Sequence, residues 1–184
     1  MALRDTLANL QQQAEQRAQW ERDRPQVTQD WRDSVNNLIT DIRAYLAEYQ
    51  ADGSMSFAQG EIELSEQHLG KYRASTLSIT AGPAVIMVAP VGRMIIGALG
   101  RVDMYRQGRP GEQDRILLLH MPTSATDPAL QWMITLPPEV GAPVLAPAPR
   151  TRPGQQRMPP RQLRQRVPLT KAVLEQVLEF LLSR

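Results

Sequence analysis

Near residue 54 the hydrophobic period of this chain changes from that of a helix to that of a strand, and no single motif restricts the fold as much. Before the change, Leu3, Leu7, Leu10 and Ala14 recur at spacings of four and three, which puts them on one helix face. Pro25 interrupts the pattern. It resumes with Trp31, Val35, Leu38, Ile42, Tyr45 and Tyr49, a narrow stripe of the kind that packs on another helix or on the chain's own sheet. Thr28 or Asp30 can cap the start of this second helix, and Asp52-Gly53 ends it. The stripe is too short for a long coiled coil.

After the change, short apolar or alternating runs follow one another at tight turns. Ile62 and Leu64 begin a strand, and Ser75 to Ala81 alternates polar with apolar. Gly82-Pro83 is a turn signal, Ala84 to Ala89 is continuously apolar, and Pro90 to Arg93 reads as a second turn. Met94 to Ile96 and Val102 to Arg106 continue the sheet, with a bend at Gly97 and Gly100. Arg115 to His120 and Leu130 to Leu136 complete it. Parallel neighbours need long crossovers, so the prediction is an antiparallel meander of five to seven strands.

The third region is of low complexity. Seven prolines and six arginines lie between Gly141 and Pro168, with hardly a large apolar side chain. Such a stretch cannot offset its ordering entropy and predicts an extended linker. A helix then follows. Thr170 is a natural N-cap, Leu169 and Leu174 can form a hydrophobic staple, and Val173, Leu174, Val177, Leu178, Leu181 and Leu182 make a broad apolar face. That face must dock on the sheet or on a partner. The expected class is α+β: a helical arm of two helices over residues 1–53, a β domain over 54–140, a Pro/Arg-rich linker over 141–168 and an amphipathic helix over 169–184.

Composition narrows the chemistry. The 184 residues suffice for one domain with extensions. With no cysteine, disulfides, thiolate zinc sites and cysteine nucleophiles are excluded. Two histidines make no persuasive metal site, and no metal or cofactor is expected. All but two of the 21 basic residues are arginine, which together with abundant alanine and proline points to a GC-rich bacterial genome. The N-terminus lacks a signal-peptide pattern. The most apolar window, Pro83 to Gly100, contains Arg93 and two prolines and falls short of the roughly 20 apolar residues of a membrane span. A cytoplasmic protein without membrane contact is the expectation.

Charge is distributed unevenly: net −3 over residues 1–53, −1 over 54–140 and +6 over 141–184. Arg150, Arg152, Arg157, Arg161, Arg164 and Arg166 follow one another with no acid between them, an arm that could neutralise phosphates or an acidic protein surface. It lacks the aromatics that would stack on bases.

Catalytic signatures are missing: no G-x-S-x-G elbow, P-loop or H-E-x-x-H. Gly97-Ala98-Leu99-Gly100 lacks a following lysine and reads as a bend. One constellation remains. If Arg106 pairs with Arg115, then Arg101 faces His120, and Arg101, Asp103, Tyr105 and His120 share a sheet face as an acid–base or anion site. A one-residue slip destroys that grouping.

The reading preferred from these features is a non-catalytic binding or assembly subunit of a larger bacterial complex, with a protein partner or a second copy of itself. The Trp31–Tyr49 stripe is the candidate self-association face. The alternatives are a nucleic-acid-associated accessory protein using the arginine arm, and an enzyme using Arg101, Asp103 and His120.

Overall fold

The period-2 region forms a seven-stranded antiparallel sheet, in which six strands follow in chain order and a short seventh, Arg166–Pro168, lies beyond the sixth. A computed structural model describes residues 3–93, 95, 97–109, 114–123, 129–137, 139–140, 144–145 and 162–184. Its elements are α1 (Leu3–Tyr45), α2 (Ala47–Ala51), β1 (Ser56–Glu66), β2 (Gly70–Ala81), β3 (Ala84–Gly92), β4 (Arg101–Arg106), β5 (Ile116–Pro122), β6 (Leu130–Thr135), β7 (Val144–Leu145), β8 (Gln162–Leu163), β9 (Arg166–Pro168) and α3 (Lys171–Leu182). The class is α+β, with helices flanking an antiparallel meander.

Both main helices pack into the same apolar cluster on the sheet. From α1 come Trp31, Val35, Leu38 and Ile42, and from α3 come Leu174, Val177, Leu178 and Leu181. The sheet supplies Leu77, Ile79, Ile86, Val88, Met104, Ile116, Leu118 and Ile134. Thr170 caps α3, its hydroxyl accepting from the Val173 N–H at 3.4 Å. Two contacts tie α3 to the α1–α2 corner: Lys171 pairs with Glu48 at 2.8 Å, and the Tyr49 hydroxyl donates to Glu175 at 3.1 Å.

Three local features differ from the sequence reading. The N-terminal helix runs straight through Pro25, and the break between the arm's two helices falls at Leu46 instead. Proline removes one helical donor and strands the carbonyl four residues earlier. Here Glu21 and Arg22 are exposed, so water can take that carbonyl. Gln19, Gln26 and Gln29 bridge to Asp23, Asp30 and Asp33 one turn on, which supports the helix through the proline. Thr28 is no cap: its hydroxyl donates back to the Arg24 carbonyl at 2.9 Å.

Next, β3 continues through Pro90 to Gly92, with an irregularity in its pairing to β4 between those two residues. The stretch read as a turn is thus mostly strand. The chain reverses a few residues later, at an Ile95–Ala98 bridge around Gly97, whose φ of 84° suits glycine; Met94 and Ile96 lie outside the described residues.

Finally, part of the segment read as linker belongs to the fold. Val144–Leu145 pairs with Gln162–Leu163, and Arg166–Pro168 adds to the edge of β6 with Val167 opposite Ile134. An edge strand left bare would carry unpaired backbone groups, and β9 satisfies them.

The β1–β2 hairpin is longer than the sheet beside it. It pairs from Ser56↔Thr80 to Glu66↔Gly70, while β3 meets β2 only over Leu77–Ala81. Its far end curls back onto the rest of the protein. Glu66 accepts the Arg93 N–H at 2.9 Å, and Trp20 of α1 donates its indole N–H to the His68 carbonyl at 3.3 Å.

Candidate functional site

The pairing of β4 with β5 decides what becomes of the proposed acid–base constellation. Arg101 lies opposite Leu119 and Asp103 opposite Leu117, one residue away from the expected register. Side chains of a strand alternate between faces, so this slip moves His120 to the face of Val102 and Leu118, away from Arg101 and Asp103. The expected grouping of Arg101, Asp103, Tyr105 and His120 is therefore corrected: three of the four share a face and the imidazole does not.

What remains on that face is an ion cluster. Asp103 is 1% exposed. Arg101 grips it with two bonds, Nε to Oδ1 at 2.6 Å and Nη2 to Oδ2 at 2.8 Å, and Arg115 approaches Oδ2 at 3.4 Å. Two guanidiniums on one buried carboxylate compensate its desolvation. Arg115 also lies over the Tyr105 ring, 5.3 Å from its centroid. This is the geometry of a structural ion network, with the carboxylate fully engaged.

His120 sits in an aromatic layer. Its ring stacks on Trp132 at 4.7 Å, and Trp132 lies 6.0 Å from Trp31. Its backbone N–H donates to the Gly100 carbonyl at 2.9 Å, and its carbonyl accepts from Leu99. Burial, and secondly the positive charge of Arg93, push its pKa below the ordinary value, so the imidazole is neutral near neutral pH. Beside this layer the Tyr72 hydroxyl donates to Glu66, and burial followed by that bond holds the phenol well above its usual range. Arg93 in turn donates to the Leu99 carbonyl. Nothing in sequence spacing could bring Glu66, Tyr72 and Arg93 together, because the curl of the hairpin does so.

The stripe expected to mediate self-association is largely internal. Trp31, Val35, Leu38 and Ile42 are buried against the chain's own sheet, and Tyr45 and Tyr49 are half-buried at its border. Of the arginine arm, Arg150, Arg152, Arg157 and Arg161 lie outside the described residues. Arg164 donates to the Arg115 carbonyl, and Arg166 is exposed on β9.

Among the described residues, two extended apolar surfaces lie open besides scattered single side chains such as Val91 and Leu130. The first is the start of α1, where residues 4–19 are all exposed, with Leu7 and Leu10 at 51% and 56%. Those sixteen residues form an overhang of about 24 Å at 1.5 Å per residue. The second is a cavity of about 730 Å³ between α2 and α3, floored by Leu46, Met55, Leu178 and Leu182 with Glu175 and Glu179 at its border. Among the described residues no His, Asp and Glu are grouped to hold a metal ion, and no helix is long and apolar enough to cross a membrane. No protein-family model, no curated protein and no solved structure matches this chain.

Proposed function

We propose that the protein is a non-catalytic assembly module, a subunit of a larger bacterial complex, which offers the first turns of α1 to another helix. The observation that carries this reading is the overhang itself. Most helical stability in proteins comes from packing an amphipathic face, and the sixteen exposed residues of the overhang carry an apolar stripe with no cover among the described residues. Its other half is clamped into the core by Trp31, Val35, Leu38 and Ile42, which aims the overhang at little entropic cost. Leu7, Leu10 and Ala14 form a narrow seam, and the flanking Gln11, Gln12 and Gln13 are uncharged. Such a seam suits a second helix, from another copy or another subunit, better than a charged surface. The open cavity between α2 and α3 adds a second place for an apolar side chain. The enzymatic reading loses its geometric support once His120 leaves the Asp103 face.

Deleting residues 1–19 tests the proposal, because Trp20 is where α1 first meets the rest of the fold. Light scattering should find the full chain associated, alone or with a partner captured from its native extract. The truncated chain should be monomeric, capture nothing, and keep its thermal transition. A full chain that stays monomeric and captures the same proteins as the truncated one overturns it.

A further inference from the structure

The two edges of the sheet differ in kind. At one, β9 is three residues long and finishes at Pro168, the short, proline-marked form in which an edge resists further pairing. At the other, β1 is eleven residues long, about 37 Å at 3.4 Å per residue. It pairs with β2 in one unbroken register from Ser56↔Thr80 to Glu66↔Gly70, and it holds no proline and no lysine. Every second residue of an edge strand turns its N–H and C=O away from the sheet. Among the described residues the outward groups from Phe57 to Ser65 have no backbone partner.

Alternation sorts the side chains of this strand. Glu61 and Glu63 lie on one face, both exposed. Each reaches diagonally to β2 in a 3.8 Å contact, Glu61 to Arg73 and Glu63 to Lys71. Exposed pairs at that distance hold their partners weakly, so both carboxylates can take a cation from the outer side. Ala58, Gly60, Ile62 and Leu64 lie on the other face, where Ile62 is 39% exposed and the small residues beside it leave a low apolar shelf. A second copy fits this edge poorly. In the registers that overlap most, an antiparallel β1 pair about a two-fold brings the Glu61 and Glu63 carboxylates of both copies opposite or diagonal to one another, and like charges so placed are destabilising.

We propose that β1 is a docking edge for an extended segment of another protein, one that alternates basic with apolar side chains. Added as an eighth strand, the segment takes up the outward N–H and C=O groups, and those main-chain bonds supply affinity. Its side chains supply selectivity: cations opposite Glu61 and Glu63, apolar groups on Ile62 and the shelf. The same acids that keep two copies apart admit a basic strand. The edge and the α1 overhang are separate surfaces, so this inference stands or falls independently of the assembly role.

Fluorescence anisotropy of the full chain tests it with labelled peptides as long as β1: lysine alternating with valine, glutamate alternating with valine, and lysine alternating with proline. The lysine–valine peptide should bind and the other two should not, since one carries the wrong charge and the other cannot form a strand. Hydrogen exchange on the complex should slow at β1 and leave β9 as it was. Glu61 and Glu63 are exposed, so the double variant Glu61→Lys, Glu63→Lys should keep the thermal transition. It should bind the lysine–valine peptide about tenfold more weakly, the scale of reversing two cross-strand charge pairs, and gain the glutamate–valine peptide. A lysine–valine peptide that does not bind overturns the proposal, as does a lysine–proline peptide that binds equally well or protection that appears away from β1. Protection of β1 that rises with protein concentration in the absence of peptide also overturns it, in favour of a second copy.

Discussion

Gly100 leaves room for the indole of Trp31: a Cβ on Gly100 would lie 2.2 Å from Trp31 Cζ3, 2.7 Å from Cη2 and 2.8 Å from Cε3. Neither partner can withdraw freely. Trp31 is 1% exposed in the centre of the core, and the Gly100 carbonyl accepts the His120 N–H at 2.9 Å. Gly100→Ala should therefore cost at least the ~1–3 kcal/mol typical of overpacking a rigid core. Denaturant unfolding measures it. In a Trp31→Leu background the same substitution should cost clearly less, because the clashing ring is gone. Equal costs in the two backgrounds would mean that the contact is not what fixes glycine at this position.

Arg101 and Asp103 should respond unequally to removal. Asp103 is 1% exposed, whereas the side chains of Arg101 and Arg115 are 32% and 39% exposed. Taking away the carboxylate lets two half-exposed guanidiniums turn to water. Taking away Arg101 strands a buried charge with, among the described residues, the longer contact to Arg115 left. Arg101→Leu should lie toward the lower end of the ~3–5 kcal/mol cost of breaking a buried pair, and Asp103→Leu well below it. Urea unfolding of the two variants, with the double variant to close the cycle, gives the ranking. The reverse order would show that Asp103 stabilises through packing and not through its charge.

Much of the architecture was legible because it depends on local pattern. Alternation at Ser75–Ala81, the continuous run at Ala84–Ala89 and the Thr170 cap each act within a few residues, and each marks its element in the structure. The register of β4 on β5 was not legible. A loop of several residues separates the two strands, the apolar run Ile116–Leu119 fits either register, and no local signal distinguishes Leu119 from His120 as the partner of Arg101. That one-residue ambiguity is the whole difference between an acid–base face and a structural ion cluster. Pro25 misled for a different reason: its penalty is real, but on an exposed turn with Gln–Asp bridges around it the helix absorbs it.

His120 should impose a pH dependence on stability. Burial is the main reason its folded-state pKa is lowered from 6.5, and the Arg93 charge adds to it. The folded imidazole therefore resists a proton that the unfolded chain accepts. Its contribution is fully present above about pH 6.5 and is lost as pH falls from there through the lowered folded-state value, with a slope of at most about 1.4 kcal/mol per pH unit for one proton. Carboxylates in unfolded chains titrate near pH 4, so the interval from about pH 6.5 to 5 isolates the histidine. Around the ring, Trp132 stacks on one face, and Arg93 is the charged group that acts on it, itself near Glu66 and Tyr72. His120→Phe keeps an aromatic ring against Trp132 and cannot be protonated, so its urea midpoint should be nearly flat across that interval. His68, exposed in the β1–β2 turn, is the control, and His68→Asn should retain the wild-type slope. A wild-type midpoint that does not fall below pH 6.5, or a slope that survives in His120→Phe, would place the buried imidazole outside the acid response of the fold.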